Sequence, residues 1–242
     1  MAIATYIRNT IQQLPEGTIF GYDTLRLETS QYLTAAKALE RLHKQGIIKK
    51  VAKGMFYRPE RTVFGELQPD YHALLQMYLF EQGKRIAYIT GTALYNRLGL
   101  TTQMPVRIKI ASRAKRIVIN HGALRADAVK SYADVTDENY ELLGLLDAFK
   151  DVKEIPDCSI EQAVERLRVM LFELSSEKQK ECIDYALLYP PRVRALLGAM
   201  LEYGGYGANE TNRLKESLNP FSVFKVGLTE DALPTKTLWS II

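Results

Sequence analysis

Ser30, Gln31, Thr34, Lys37 and Arg41 recur at spacings of one, three, three and four residues, which gathers them on one side of a helix. Their chemistry fits the edge of a nucleic-acid duplex. A Gln amide can pair with two atoms of adenine, a Lys ammonium can donate to guanine O6 and N7, and an Arg beyond them can reach phosphate. Ala38 and Gln45 complete that side. Tyr32, Ala35, Ala36, Leu39, Leu42 and His43 form the other, an apolar face able to dock on neighbouring helices. The nearby acid, Glu40, falls on the flank. A second set of cations, Lys49, Lys50 and Lys53, follows within the run IIKKVAKGMFYRP, where they can lie against phosphate.

The elements that must hold these groups can be read from the flanking sequence. Gly46 ends the helix of 29–45 as a left-handed cap. Residues 47–51 are β-branched and extended, Ala52-Lys53-Gly54 is a turn, and 55–58 returns as a second strand that Pro59 stops. Upstream, residues 2–13 place Ile3, Ile7 and Ile11 on one helical stripe. Thr18–Phe20 reads as extended, and Tyr22–Leu27 as a small helix contributing Leu25 and Leu27 to a core. Helix, strand, two helices and a basic hairpin spell a winged helix-turn-helix domain over residues 1–61, with its last helix in the major groove. The charge balance agrees: residues 1–61 hold ten Lys/Arg against five Asp/Glu, whereas 62–242 hold 22 against 23. The same pattern also suits a winged helix that contacts only protein, its lysines forming a solvated face.

The rest of the chain predicts a larger mixed α/β second domain, rich in helices, over 62–242, so that the whole is α+β. Residues 60–65 lose periodicity and read as a linker. Helices are expected over 71–82, 92–98, 137–150, 160–175, 177–189, 191–203 and 213–218, with a strand at 86–89. The helices at 137–150 and 160–175 read as acidic and amphipathic. Residues 106–111 and 117–119 suggest a twisted hairpin with one basic face, built from Arg107, Lys109, Arg113, Lys115 and Arg116. That face reads either as a second surface for nucleic acid or an acidic partner, or as one covered by downstream acids. Residues 82–126 carry nine cations and no acid, and 127–184 carry seven cations and fifteen acids. The apolar tail, with the single Trp, is expected to pack back on the domain.

Composition and motifs exclude several classes. No uncharged apolar run approaches a membrane span of roughly 18 residues. Cys158 and Cys182 are isolated, which suits a reducing cytoplasm. No phosphate-binding Gly-Lys-Ser/Thr loop, zinc-protease His-Glu pair or nucleophile elbow is present, so no catalytic residue, cofactor or metal is expected. His43, His72 and His121 lack metal spacing, His43 reading as a buried structural residue. Gly204-Gly205-Tyr206-Gly207 reads as a helix connection. Asp127, Asp134 and Asp137 are close in sequence, and the stretch around Asp137 reads as a helix N-terminus, the alternative being a nucleic-acid-processing enzyme that uses these acids with the basic segment 82–126.

A resemblance spans most of the chain. GTIFGYDTL followed by TAAKALERLHKQGIIKKVAKGMFYRP is similar to the opening domain of AbiEi-type antitoxins of bacterial type IV toxin–antitoxin systems. AYITGTALYNRLGLTTQMPVRIKIAS resembles the start of their second domain, and PPRVRALLGAMLE with LKESLNPFSVFKVGL resembles a branch of this length. The resemblance implies a winged-helix domain that binds double-stranded DNA at its own promoter. It also implies a second domain that counters a nucleotidyltransferase-like toxin, with or without a stable complex. By position the DNA-reading residues would be Gln31, Thr34, Lys37 and Arg41, with Lys49, Lys50 and Lys53 in the wing. Wings in that group are often Arg-rich; this one is Lys-rich, which favours phosphate over bidentate base contacts.

Overall fold

The computed structural model describes residues 2–122 and 124–242, and the chain is α+β. It divides into two compact units, Met1–Tyr78 with His121–Leu124, and Leu79–Asn120 with Arg125–Ile242.

In the first unit α1 (Ile3–Gln13) buries Ile7 and Ile11 and gives way to extended Leu14 ahead of Pro15. Arg58 closes its exposed end: the guanidinium donates to the carbonyls of Gln12 at 3.0 Å and Leu14 at 2.9 Å, and pairs with Glu16 at 3.1 Å. These are the orphan acceptors that any helix C-terminus leaves. After β1 (Ile19–Gly21) the expected helix at 22–27 is absent. Two successive turns stand in its place, Leu25 N–H to Tyr22 O and Arg26 N–H to Asp23 O. Arg26 has φ of 47°, which breaks helical progression, yet Leu25 still reaches the core.

A 3₁₀ turn over Thr29–Gln31 leads into α2 (Tyr32–Lys44). Its buried side is Ala35, Ala38, Leu39 and Leu42, the i, i+3, i+4, i+7 set counted from Ala35. Ala36 and His43, expected inward, are exposed, and Ala38, expected outward, is buried. Gly46 ends the helix with φ of 70°, its N–H reaching His43 O while Ile47 N–H reaches Leu42 O. That pair of bonds is the Schellman arrangement. Strands β2 (Lys49–Ala52) and β3 (Met55–Tyr57) meet across the two-residue turn Lys53-Gly54, with Gly54 at φ of 76°. The sheet order is β1-β3-β2, with β1 and β2 both antiparallel to β3. Phe20 and Phe56 stack at 6.2 Å over Ile7, Ile11, Leu25, Leu39 and Ile48.

The expected linker at 60–65 is a second small hairpin, β4 (Arg61–Thr62) and β5 (Gly65–Glu66), followed by α3 (Tyr71–Leu79). Leu74 of α3 packs with Val51 and Tyr57 of the first sheet. The first unit thus includes α3 and runs to Tyr78.

The second unit begins with the short hairpin β6 (Phe80–Glu81) and β7 (Lys84–Arg85), then β8 (Ala87–Thr90) and α4 (Thr92–Arg97). Strands β9 (Ile108–Ser112), β10 (Ile119–His121) and β11 (Leu124–Lys130) complete a sheet of order β10-β11-β9-β8. The hairpin expected between 106–111 and 117–119 does not form. Strand β11 lies between them, parallel to β9, and β8 pairs antiparallel on the other side. Helices α5 (Tyr140–Lys150), α6 (Ile160–Glu173), α7 (Ser176–Ala186), α8 (Pro191–Tyr203) and α9 (Ala208–Glu216) follow. Helix α5 is not the amphipathic surface helix expected: Leu142 to Phe149 are all buried.

Within that run Asp147 is 2% exposed. Its carboxylate accepts from Tyr88 OH at 2.9 Å, Thr90 Oγ1 at 2.7 Å and Tyr189 OH at 3.3 Å, and pairs with Lys150 at 3.5 Å. Burial pushes the Asp147 carboxyl up, against the pull of Lys150, Thr90 and Tyr88. The connection at 204–207 is packed: Gly204 backs onto the Phe172 ring, and Tyr206 donates to Gln179. The tail returns as expected, burying Trp239 and Ile241 against the helical core. No helix among the described residues is long and apolar enough to cross a membrane.

Candidate nucleic-acid interface

The lead-in to α2 fixes which of its side chains are available. Glu28 and Gln31 form a reciprocal cap: the Glu28 N–H donates to Gln31 Oε1 at 3.2 Å, and the Glu28 carboxylate accepts from the Gln31 N–H. Gln31 thus gives one lone pair of its amide oxygen to the cap and keeps the other, with its NH2 group, for a further partner. Ser30, Thr34, Lys37 and Arg41 are exposed, and neither Lys37 nor Arg41 has an ion pair among the described residues. Beside them on the same exposed face lie Leu33, 82% exposed, and Glu40. Glu40 sits on the exposed face rather than its flank and pairs with Lys44 at 3.0 Å, which holds its carboxyl below the usual range. His43, exposed and not buried, has its Nδ1 3.2 Å from Ile48 O, tying the end of α2 to the start of the hairpin.

The hairpin cations divide in the same way. Lys50 and Lys53 are exposed and form no ion pair among the described residues. Lys49 is paired with Glu66 of β5, and Arg61 reaches the same carboxylate at 3.4 Å. The Lys49 hydrogen bond lowers the Glu66 pKa, and the same bond raises that of Lys49. Lys49 thus ties the two hairpins of the unit together while 45% of its side chain stays exposed.

In the second unit three of the five expected basic residues, Arg107, Arg113 and Lys115, meet acids from other strands and loops. Arg107 grips Asp127 with two bonds, at 2.8 and 2.6 Å, and donates to Asn120 at 3.2 Å. Lys115 pairs with Glu81 at 3.0 Å, and Arg113 lies 3.9 Å from Asp134. Lys109 lays its stem over Gly91, whose φ of 68° and close approach leave no room for a Cβ. Arg116 is exposed and without an ion pair among the described residues. The covering acids come from β6, β11 and the loop before α5, not from the acidic helices expected to supply them. Asp137 pairs with Arg85 at 2.7 Å, so Asp127, Asp134 and Asp137 each serve a different cation. Among the described residues no three metal-ligating side chains converge.

A family model matches residues 6–127, half of the chain, running from α1 into β11. The chain belongs to DUF6088, a family of unknown function. The DUF6088 match covers the α2 face, both small hairpins and the Arg107–Asp127 pair. The chain is also similar to a solved structure, the RV2827C protein from Mycobacterium tuberculosis. The TM-score is 0.51 and the identity 14%, over 92% of this chain and 83% of that one, which is a likeness of fold alone. No curated protein matches.

Three features of this DUF6088 protein escaped the sequence. The exposed Leu33 is hidden in a wheel drawn around Tyr32 and Ala36, although the 35, 38, 39, 42 spacing would have turned it outward. The Gln31 cap is legible as Glu-x-x-Gln before a helix. The Lys49–Glu66 tie joins residues of two separate hairpins, and no local pattern announces it.

Proposed function

We propose that the first unit is a winged helix that binds double-stranded DNA and that the protein regulates transcription, its own promoter being the first target. Helix α2 enters the major groove, and Lys50 and Lys53 lie against phosphate. The observation that carries this reading is the exposed face of α2, where Lys37 and Arg41, with no ion pair among the described residues, stand beside Thr34. The second part of the proposal, that the protein is the antitoxin of a type IV pair and counters a nucleotidyltransferase-like toxin, is supported by the sequence resemblance. It requires no stable complex with that toxin.

The full chain is titrated with its promoter DNA at several salt concentrations. Each phosphate contact contributes about −0.9 to the slope of log K against log salt. The double variant Lys37→Ala/Arg41→Ala is expected to flatten that slope by roughly 1–2 and to weaken binding about tenfold or more. A salt-independent interaction, or a double variant that binds like the parent, would reject the DNA reading. Growth rescue by the full chain, co-expressed with a nucleotidyltransferase-like gene adjacent to its own, tests the antitoxin part; no rescue refutes it.

A further inference from the structure

Leu33 is left unexplained by the fold. It is 82% exposed on the first turn of α2, while the helix buries Ala35, Ala38, Leu39 and Leu42 on its other side. It lies four residues before Lys37 and beside Thr34, so these three side chains project from one face. An isolated exposed leucine needs no explanation by itself. This one occupies the part of a groove-binding helix that reaches base edges. Gln31, the polar reader expected there, accepts one bond from the Glu28 N–H through its amide oxygen.

Of the features that base pairs display in the major groove, the apolar one is the thymine C5-methyl. We infer that Leu33 is a specificity-determining residue that reads a thymine methyl, with Thr34 and Lys37 reading or anchoring the adjoining positions. The inference rests on the DNA-binding reading above and deepens it, adding an apolar contact to the polar ones. Leu33 has no hydrogen-bonding group, so its contribution to sequence choice must come from burying a methyl and from excluding polar base edges.

The test uses the full chain and duplexes selected by it from a random pool. Each thymine of the selected site is replaced in turn by deoxyuridine, which removes the methyl and nothing else. Burial of one such group corresponds to an affinity loss of about three- to fivefold. The wild type is expected to show that loss at one thymine for each bound helix α2. Leu33→Ala, at an exposed position and with a better helix former, should fold normally and bind the thymine duplex more weakly by a similar factor. It should no longer distinguish uridine from thymine there. A wild type indifferent to every replacement, or a Leu33→Ala protein that keeps the discrimination, overturns the inference while leaving DNA binding intact. Failure to select any sequence, together with salt-independent binding, removes the DNA reading and this inference with it.

Discussion

Asp147→Ala is expected to destabilise the second unit by roughly 3–5 kcal/mol, the usual cost of removing one partner from a buried charged network. For a unit of this size that corresponds to a fall in Tm of roughly 6–20 °C. The reason is arithmetic of donors. Tyr88 and Thr90 both donate to Oδ2, Tyr189 donates to Oδ1, and Lys150 lies 3.5 Å from Oδ1. Alanine leaves the Tyr88 and Thr90 hydroxyls without their acceptor, among Leu143, Leu146 and Phe149, while Tyr189 OH keeps the Leu143 carbonyl at 3.0 Å. Asp151 softens the loss, because it keeps Lys150 paired at 3.5 Å and accepts from Tyr95 OH at 2.7 Å. Asp147→Asn retains one acceptor and should cost less than alanine. Urea denaturation of the three proteins gives the comparison, and an alanine variant within 1 kcal/mol of the parent would show that this network contributes little to holding α5 against β8 and Tyr189.

The same helix shows why the sequence reading succeeded in one unit and strayed in the other. In the first unit the informative signals are local. The stripe of Ile3, Ile7 and Ile11, the Gly46 cap and the Lys53-Gly54 turn each act within a few residues, and each is where the spacing predicts. In the second unit the decisive contacts are distant in sequence. The parallel pairing of Ala126 with Ile108 and of Ala128 with Ile110 inserts β11 where a local hairpin had looked sufficient. Helix α5 misled through its ends, where Tyr140, Glu141, Lys150 and Asp151 suggest a solvated face. Its interior, LLGLLDAF, is apolar all round apart from Asp147, which is the signature of a buried helix. The α2 face was legible as chemistry, but its rotation was not. Assigning Ala36 in place of Ala38 to the core concealed Leu33, which the fold leaves 82% exposed.

The tail offers a second test, in which one substitution should reverse its sign. Trp239 lies in the 3₁₀ segment Pro234–Trp239, fully buried against α8, with Lys215 Nζ 5.3 Å from its ring. The tail backbone closes the turn through Phe224 N–H to Ser240 O at 2.8 Å and Ile242 N–H to Phe224 O at 3.0 Å. Gly198 of α8 sits beneath the indole, and a Cβ there would fall inside the ring's van der Waals surface. Trp239→Ala should therefore cost about 3–5 kcal/mol, the loss of a large core side chain and the cavity it leaves. Gly198→Ala alone should cost about 1–3 kcal/mol, because the indole must move out of a packed site. In the Trp239→Ala background the obstruction is gone, and what remains is the helix preference for Ala over Gly, worth about 1 kcal/mol in the stabilising direction. The double-mutant cycle isolates that coupling from the individual losses. Equal costs of Gly198→Ala in both backgrounds would mean that α8 tolerates the glycine for some reason other than the tryptophan, and that the tail is not seated through this contact.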